Sequence, residues 1–281
     1  MRAAEVIVGI DASSESRLAL CWAAAEAQRR GCRLQIVHGV RSHWPDSALS
    51  PQHAHLAARH QAPKIVDAAR ADVREWAPGV EVDAQTEAGG GAAVLIAAAQ
   101  PGDLVVVGSR GHSEFTALLA GSTCQQVAMH APTSVVVVRG RPGQGVVAGF
   151  DGSSDDVLAV AFEMADSLRC PLTVLRAFRP STPAWPADAP PPDVLNATTA
   201  QAALRDDLQA IVMPLAEKYP DVRVEVQVAG GNPAQLLVEA SRDAQLVVVG
   251  SRGHGGFAGL LLGSVGLHLV HHAGCPVLLA R

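Results

Sequence analysis

The chain is short of lysine, of aromatic residues and of any paired cysteine arrangement. Only two lysines occur, Lys64 and Lys218, and aromatic residues make up 4% of its 281 positions. The formal net charge is −5 and no basic run is present, which argues against a nucleic-acid-binding surface while leaving room for a local anion site. Cys21, Cys32, Cys124, Cys170 and Cys275 are scattered and form no CxxC. A disulfide framework and a zinc site are therefore not expected, and buried free thiols are. No stretch reaches the ~20 apolar residues of a membrane helix. The uncharged candidate Ala88–Gly102 is broken by glycines and Pro101. The opening MRAAEVIVGID runs straight into a strand without a signal-peptide pattern, so a soluble cytoplasmic protein is expected. Two phosphate signatures are missing as well. There is no GxxxxGK[ST], and GIDASS and GFDGSS stand where a dinucleotide fold would carry GxGxxG. A P-loop and a standard NAD fold are thereby excluded.

What is present is a repetition. LVVVGSRGH occurs as Leu104–His112 and again as Leu246–His254, 142 positions later. The likeness continues: residues 6–16 match 146–156, 86–99 match 227–240, and 118–139 match 260–281. Offsets stay between 140 and 142, so half the chain is duplicated, which excludes a short solenoid repeat. Two domains follow, residues 1–140 and 145–281, with GRPGQG as the linker.

Short apolar runs rich in valine alternate with helical patterns in each copy. The expected strands of the first are Val6–Ile10, Leu34–Val40, Val80–Ala84, Leu104–Gly108 and Ser134–Arg139. Those of the second are Gly145–Phe150, Leu172–Phe178, Val222–Val228, Leu246–Gly250 and Pro276–Ala280. Helices are expected over Glu15–Arg30 and Asp155–Arg169, each after a capping serine. Strands that alternate with helices build βαβ units and a parallel sheet buried on both faces. The expected class is α/β, with a five-stranded, doubly wound parallel sheet in each copy. Ligands of such sheets bind beyond the carboxyl ends of the strands, at the switch point.

The repeated glycines fall there, as Gly-x2-Gly-x9-Gly-Ser. They are Gly108, Gly111, Gly121 and Ser122 in one copy, and Gly250, Gly253, Gly263 and Ser264 in the other. The first two glycines permit close backbone approach. The third, followed by serine, reads as a helix start whose N–H groups can receive an anion. Arg110 and Arg252 add fixed positive charge, and His112 and His254 follow them as possible phosphate contacts. A glycine-rich loop alone is a weak signal; the same spacing, arginine and serine twice over is a stronger one. Asp11 and Asp151 end the first strand of each copy. They suit either hydrogen bonding to a sugar or base, or helix capping.

In these motifs the sequence resembles a tandem universal stress protein, over nearly its whole length. The resemblance implies two Rossmann-like domains that take ATP, with magnesium as an optional companion. It also implies which residues meet the nucleotide: Asp11 and Asp151 near the adenosine, with Gly9 and Gly149 in the same V-G-I/F-D motif. Backbone around His38–Gly39 and Arg176–Ala177 would meet adenine, and the two glycine loops would hold ribose and phosphates. It further implies a homodimer, often formed through the last strand.

The expected function is an ATP-binding regulatory protein of the stress response, acting through an unidentified protein partner. The alternative is a slow ATPase or a nucleotidyl-transfer enzyme. Phosphoryl transfer needs metal-binding carboxylates and a positioned acceptor. Apart from Glu114, no second acidic group converges with either loop, so no catalytic residue and no metal ligand is assigned. A purely structural dimer would require both loops to be vestigial. The copies are unequal: Ala12 stands where the second has Gly152, and Glu114 where it has Gly256. Glu114 places a carboxylate among phosphates, so tighter binding is expected at the second site. His43, His53, His55 and His60 are read as a solvated loop or partner-facing lid, since no cysteine or acidic cluster joins them.

Overall fold

The computed structural model describes residues 4–40, 51–111, 121–153, 156–178, 194–253 and 262–281, with side chains of 51–59 and 194–198 left aside. Among the described residues, ten strands and eight helices form two compact units. The first unit holds residues 1–140 together with 276–281, the second residues 141–275.

The first unit runs β1 (Val6–Gly9), α1 (Ser14–Arg30), β2 (Leu34–Val40), α2 (Pro51–Trp76), β3 (Val82–Ala88), α3 (Gly91–Ala98), β4 (Leu104–Gly108), α4 (Ser122–His130) and β5 (Ser134–Val138). Its strands lie in the order β3-β2-β1-β4-β5, all parallel, with Val6 opposite both Leu34 and Leu104. β10 (Val277–Ala280) then lies beside β5 and antiparallel to it, Val277 facing Val137 and Leu279 facing Val135. The second unit runs β6 (Val146–Gly149), α5 (Asp156–Leu168), β7 (Leu172–Phe178), α6 (Val194–Lys218), β8 (Val224–Gly230), α7 (Pro233–Ala240), β9 (Leu246–Gly250) and α8 (Ser264–His272). Its parallel order is β9-β6-β7-β8.

Central strands are valine-rich because both of their faces are covered. Val6, Ile7, Val8, Val105 and Val106 are fully shielded in the first unit, as are Val247 and Val248 in the second. α1 turns Ala19, Leu20, Ala23, Ala24 and Ala27 to the sheet, small residues that let the helix sit close. It starts where Ser13, in extended conformation, accepts a hydrogen bond from the Ser16 N–H. It stops at Gly31, whose left-handed φ of 60° a side chain would oppose.

Two features depart from the sequence reading. The third strand of each copy begins two residues late, at Val82 and Val224. Val80 and Val222 instead return a hydrogen bond to the end of the preceding helix, at Ala77 and Tyr219, so a turn consumes them. His53, His55 and His60 lie on the 26-residue helix α2 and not in a loop.

The connecting residues are firmly held. Arg141, Gly143 and Gln144 donate to carbonyls of Gly274, Ala244 and Asp243, within the second unit. No helix among the described residues is long and apolar enough to cross a membrane.

Candidate functional site

In the first unit β1 and β4 are neighbours, and the chain leaves them toward opposite sides of the sheet. That divergence opens a crevice at their carboxyl ends. Asp11 follows β1 there, Ser109–Gly111 follow β4, and the N-terminus of α4 closes the third side. In α4 the cap is Gly121, which has no side chain to satisfy the first-turn N–H groups. Its own N–H donates to the Ser109 carbonyl at 2.8 Å, so the helix start is pinned onto the loop.

Asp11 is fixed by its neighbours. Its Oδ1 accepts from the Ser13 N–H at 3.1 Å and from the Ser13 hydroxyl at 2.5 Å. Its own N–H donates to Ser16 Oγ at 3.3 Å. The Asp-x-Ser-x-x-Ser spacing thus makes a local turn and a helix cap together. Its other oxygen, Oδ2, lies where a Cβ on Gly111 would have to go. The loop tip and the carboxylate are therefore in contact, and glycine is the residue that permits it. His38, at the end of β2, bonds the Ile10 carbonyl through Nδ1 at 2.7 Å, tying β2 to the residue before Asp11.

The second unit repeats the plan. Asp151 Oδ1 accepts from the Ser153 N–H at 2.9 Å, and a Cβ on Gly253 would stand 2.6 Å from Asp151 Oδ2. The cap of α8 is Gly263, again without a side-chain hydrogen bond, and its N–H donates to the Ser251 carbonyl at 2.8 Å. Ser122 and Ser264 begin their helices exposed, as are Arg110 and Arg252.

Several glycines read from sequence as ligand contacts have a packing reason here. A Cβ on Gly9 would meet Leu95 Cδ1 at 2.5 Å, and one on Gly149 would meet Leu237 Cδ1 at 2.7 Å. One on Gly108 would reach the Glu15 carbonyl at 2.7 Å, where β4 meets the first turn of α1. On Gly250 it would reach the Arg252 carbonyl at 2.8 Å. Gly39 lies against the Gly91 backbone, at 2.9 Å for an added Cβ, and Ala177 holds the matching place on β7, half-buried. His112, His254, Glu114 and Gly256 lie outside the described residues.

The copies diverge at two further points. α3 is capped by Gly90, whereas its equivalent α7 is capped by Asn232, which accepts from the Ala234 and Gln235 N–H groups. Ala12 holds a φ of 65° where Gly152 holds 88°. Sequence reasoning passed over Ser13, Ser16 and Ser153 as site-shaping residues; the DxSS string was their signal.

Each crevice presents uncapped helix N–H groups, an exposed arginine, and a carboxylate as hydrogen-bond acceptor. That set suits a ligand with an anionic end and a hydroxylated end. No cluster of three metal-ligating side chains exists among the described residues. A separate cavity of about 340 Å³, lined by Ala27, Gly31, Cys32, Arg33 and Glu81, lies at the opposite end of the strands and has no glycine loop.

The model of the Universal stress protein family matches this chain twice, over residues 4–139 and 144–281. A universal stress protein of Mycolicibacterium smegmatis is 33% identical over 301 residues, covering 98% of this chain and 96% of that one. One from Mycobacterium tuberculosis is 32% identical over 293 residues, with the same coverage. Among solved structures, a universal stress protein from Archaeoglobus fulgidus superposes with a TM-score of 0.70 at 16% identity, over 99% of this chain and 98% of that one.

Proposed function

This chain belongs to the universal stress protein family, and we propose that it binds ATP in the crevice of each unit and regulates a protein partner according to nucleotide state. The observation that carries this reading is the contact of Asp11 with Gly111 and of Asp151 with Gly253, beside an uncapped helix start in both copies. Phosphates would take the N–H groups of α4 and α8, with Gly121, Ser122, Gly263 and Ser264 at the helix starts. Arg110 and Arg252, with His112 and His254 two positions on, would add positive charge. Asp11 and Asp151 would accept from ribose hydroxyls. Backbone at Gly39 and Ala177 would border the adenine. Magnesium is an optional companion of the phosphates.

Gly9, Gly149, Gly108 and Gly250 serve this site indirectly, by letting helices and loops close on the strands. The residues of the two domains, 1–140 and 145–281, each carry one complete set of these motifs. The protein acts in the cytoplasm on this reading, as a homodimer. The outer edge of β5 is already taken by β10, so a dimer contact on the first unit has to form elsewhere.

Turnover is slow at most. Among the described residues each crevice holds one carboxylate, tied into a serine turn, and the chemistry needs a metal cage and a positioned acceptor. Occupancy is unequal, with the second site tighter. Glu114 adds negative charge to the first loop, and like charges ~4 Å apart repel by about 1 kcal/mol even in water. That is close to a tenfold difference at ~1.4 kcal/mol per decade.

Calorimetric titration with ATP and NAD, on the protein and on Glu114→Gly, tests the reading. ATP should bind more tightly than NAD, in two unequal steps that Glu114→Gly brings together. Tighter NAD binding would overturn the assignment; equal steps unaffected by the substitution would overturn the asymmetry.

A further inference from the structure

We propose that Arg281 is a positioning residue for the first nucleotide site, acting through α4 from the far end of the sequence. The inference rests on the reading of that site as nucleotide-binding. The strand before Arg281 is buried in the first unit, with Val277, Leu278, Leu279 and Ala280 at most 5% exposed. Its pairing with β5 delivers Arg281 beside Ser134, whose hydroxyl oxygen accepts from the Arg281 N–H at 3.1 Å. From there the guanidinium reaches the C-terminal turn of α4, where one Nη donates to the Ala128 carbonyl at 2.5 Å and the Met129 carbonyl at 3.2 Å.

Those carbonyls are among the last four of the helix, which have no partner inside it. A fixed cation there satisfies them and complements the negative pole of the helix. Direct charge influence fades within a turn, so it does not reach the other end by itself. Placement does. α4 has nine residues, about 13 Å at 1.5 Å each, and it is anchored at both ends. The start is held by the Gly121 to Ser109 hydrogen bond, the finish by Arg281. Between them the helix buries only Cys124, Val127 and Ala128. Releasing one anchor lets the short helix shift about the other, against its packing on α3, and ligand geometry tolerates displacements of only about 0.5 Å. Residues 276–281 therefore complete the helix that faces the first ligand, although they belong to the second copy of the sequence.

The experiment reads the two sites separately. Gly253→Leu blocks the second and leaves the first to be titrated; Gly111→Leu does the reverse. ATP is titrated into Arg281→Gln and Arg281→Lys in each background, and amide exchange of α4 is followed without nucleotide. Arg281→Gln should weaken ATP at the first site about 3- to 10-fold, the worth of charge-assisted hydrogen bonds partly transmitted. It should leave the second site unchanged and speed exchange along α4. Arg281→Lys, which keeps the charge but not the planar fork, should recover part of the affinity and serves if the glutamine variant does not fold. Equal loss at both sites, or unchanged exchange in α4, would overturn the proposal. ATP failing to bind the parent in either background, with exchange still responding to Arg281, would overturn the nucleotide reading and the role in binding while retaining the anchor.

Discussion

The carboxylate of Asp11 occupies the space in which Gly111 would carry a side chain. These two residues follow different strands and are separated by a hundred positions, yet the parallel pairing of β1 with β4 sets them in contact. Asp151 and Gly253 repeat the relationship on β6 and β9. A duplicated close contact between an acidic turn and a glycine loop makes both residues depend on each other's size.

Gly111→Leu and Gly253→Leu should each abolish ATP binding in their own unit by steric exclusion. Both positions are half-buried at the loop surface and outside the apolar core, so unfolding should shift by no more than about 1 kcal/mol. Titration of each variant beside a denaturation curve makes the comparison. A collapse of cooperative unfolding would assign these glycines to the fold and not to the ligand.

Ala12 has a φ of 65°, a left-handed conformation that costs a residue with Cβ ~1–2 kcal/mol. Glycine removes that cost but adds chain entropy to the unfolded state. Ala12→Gly should therefore stabilise the protein by roughly 0.5–1 kcal/mol, and Gly152→Ala should destabilise it by a similar amount. Urea denaturation is the measurement, and a less stable Ala12→Gly protein would contradict the argument.

Asp103 is buried at the entry to β4, where it accepts from the Glu5 N–H at 3.0 Å and the Gln100 N–H at 2.9 Å. Asp103→Ala would strand two shielded donors, at a cost of roughly 1–3 kcal/mol each before relaxation. Asp103→Asn keeps one acceptor oxygen and should lose distinctly less. Equal losses in thermal denaturation would show that volume, and not hydrogen bonding, sets the effect.

The cysteines should differ sharply in reactivity. Cys21 is exposed, Cys32 and Cys170 are partly covered, and Cys124 and Cys275 are buried. Burial pushes the Cys32 and Cys170 thiols up, and pushes Cys124 from 9.0 up to about 12 despite the charge of Arg139. Iodoacetamide at neutral pH should label Cys21 first and Cys124 only on unfolding. The sign for stability follows. Below pH 9 the Cys124 thiol is neutral in both states; above it the unfolded chain ionises while the folded one does not until about pH 12. Stability should then fall by up to ~1.4 kcal/mol per pH unit from this group. A Cys124→Ala protein whose alkaline stability falls just as steeply would remove Cys124 as the cause.

Much of this protein is legible in its sequence because the signals are local. Valine runs such as LVVVG mark buried parallel strands, serine at position 13 marks the start of α1, and the duplication gives two copies of one plan. The Gly-x2-Gly-x9-Gly-Ser spacing likewise announces a loop and a helix start, since both are short-range features. Strand ends were less legible. Val80 and Val222 carry strand residues but return hydrogen bonds to the helix before them, a competition that composition does not express.

Only the tertiary structure decided what each glycine is for and that β10 also pairs with β5. Gly9 and Gly149 look like motif residues, but the room they leave is filled by Leu95 and Leu237 from helices more than eighty positions away. Sequence repetition assigned Pro276–Ala280 to the second copy, because repeats record descent along the chain. That strand also pairs antiparallel with β5, where a row of unpaired backbone groups would otherwise remain, and nothing in the repeat announces this second pairing. The sequence by itself determined the elements and the paired loops. Which elements complete the first site was decided by edge pairing and by the guanidinium of Arg281 on α4, contacts that link residues about 150 positions apart and that leave no periodic trace in the chain.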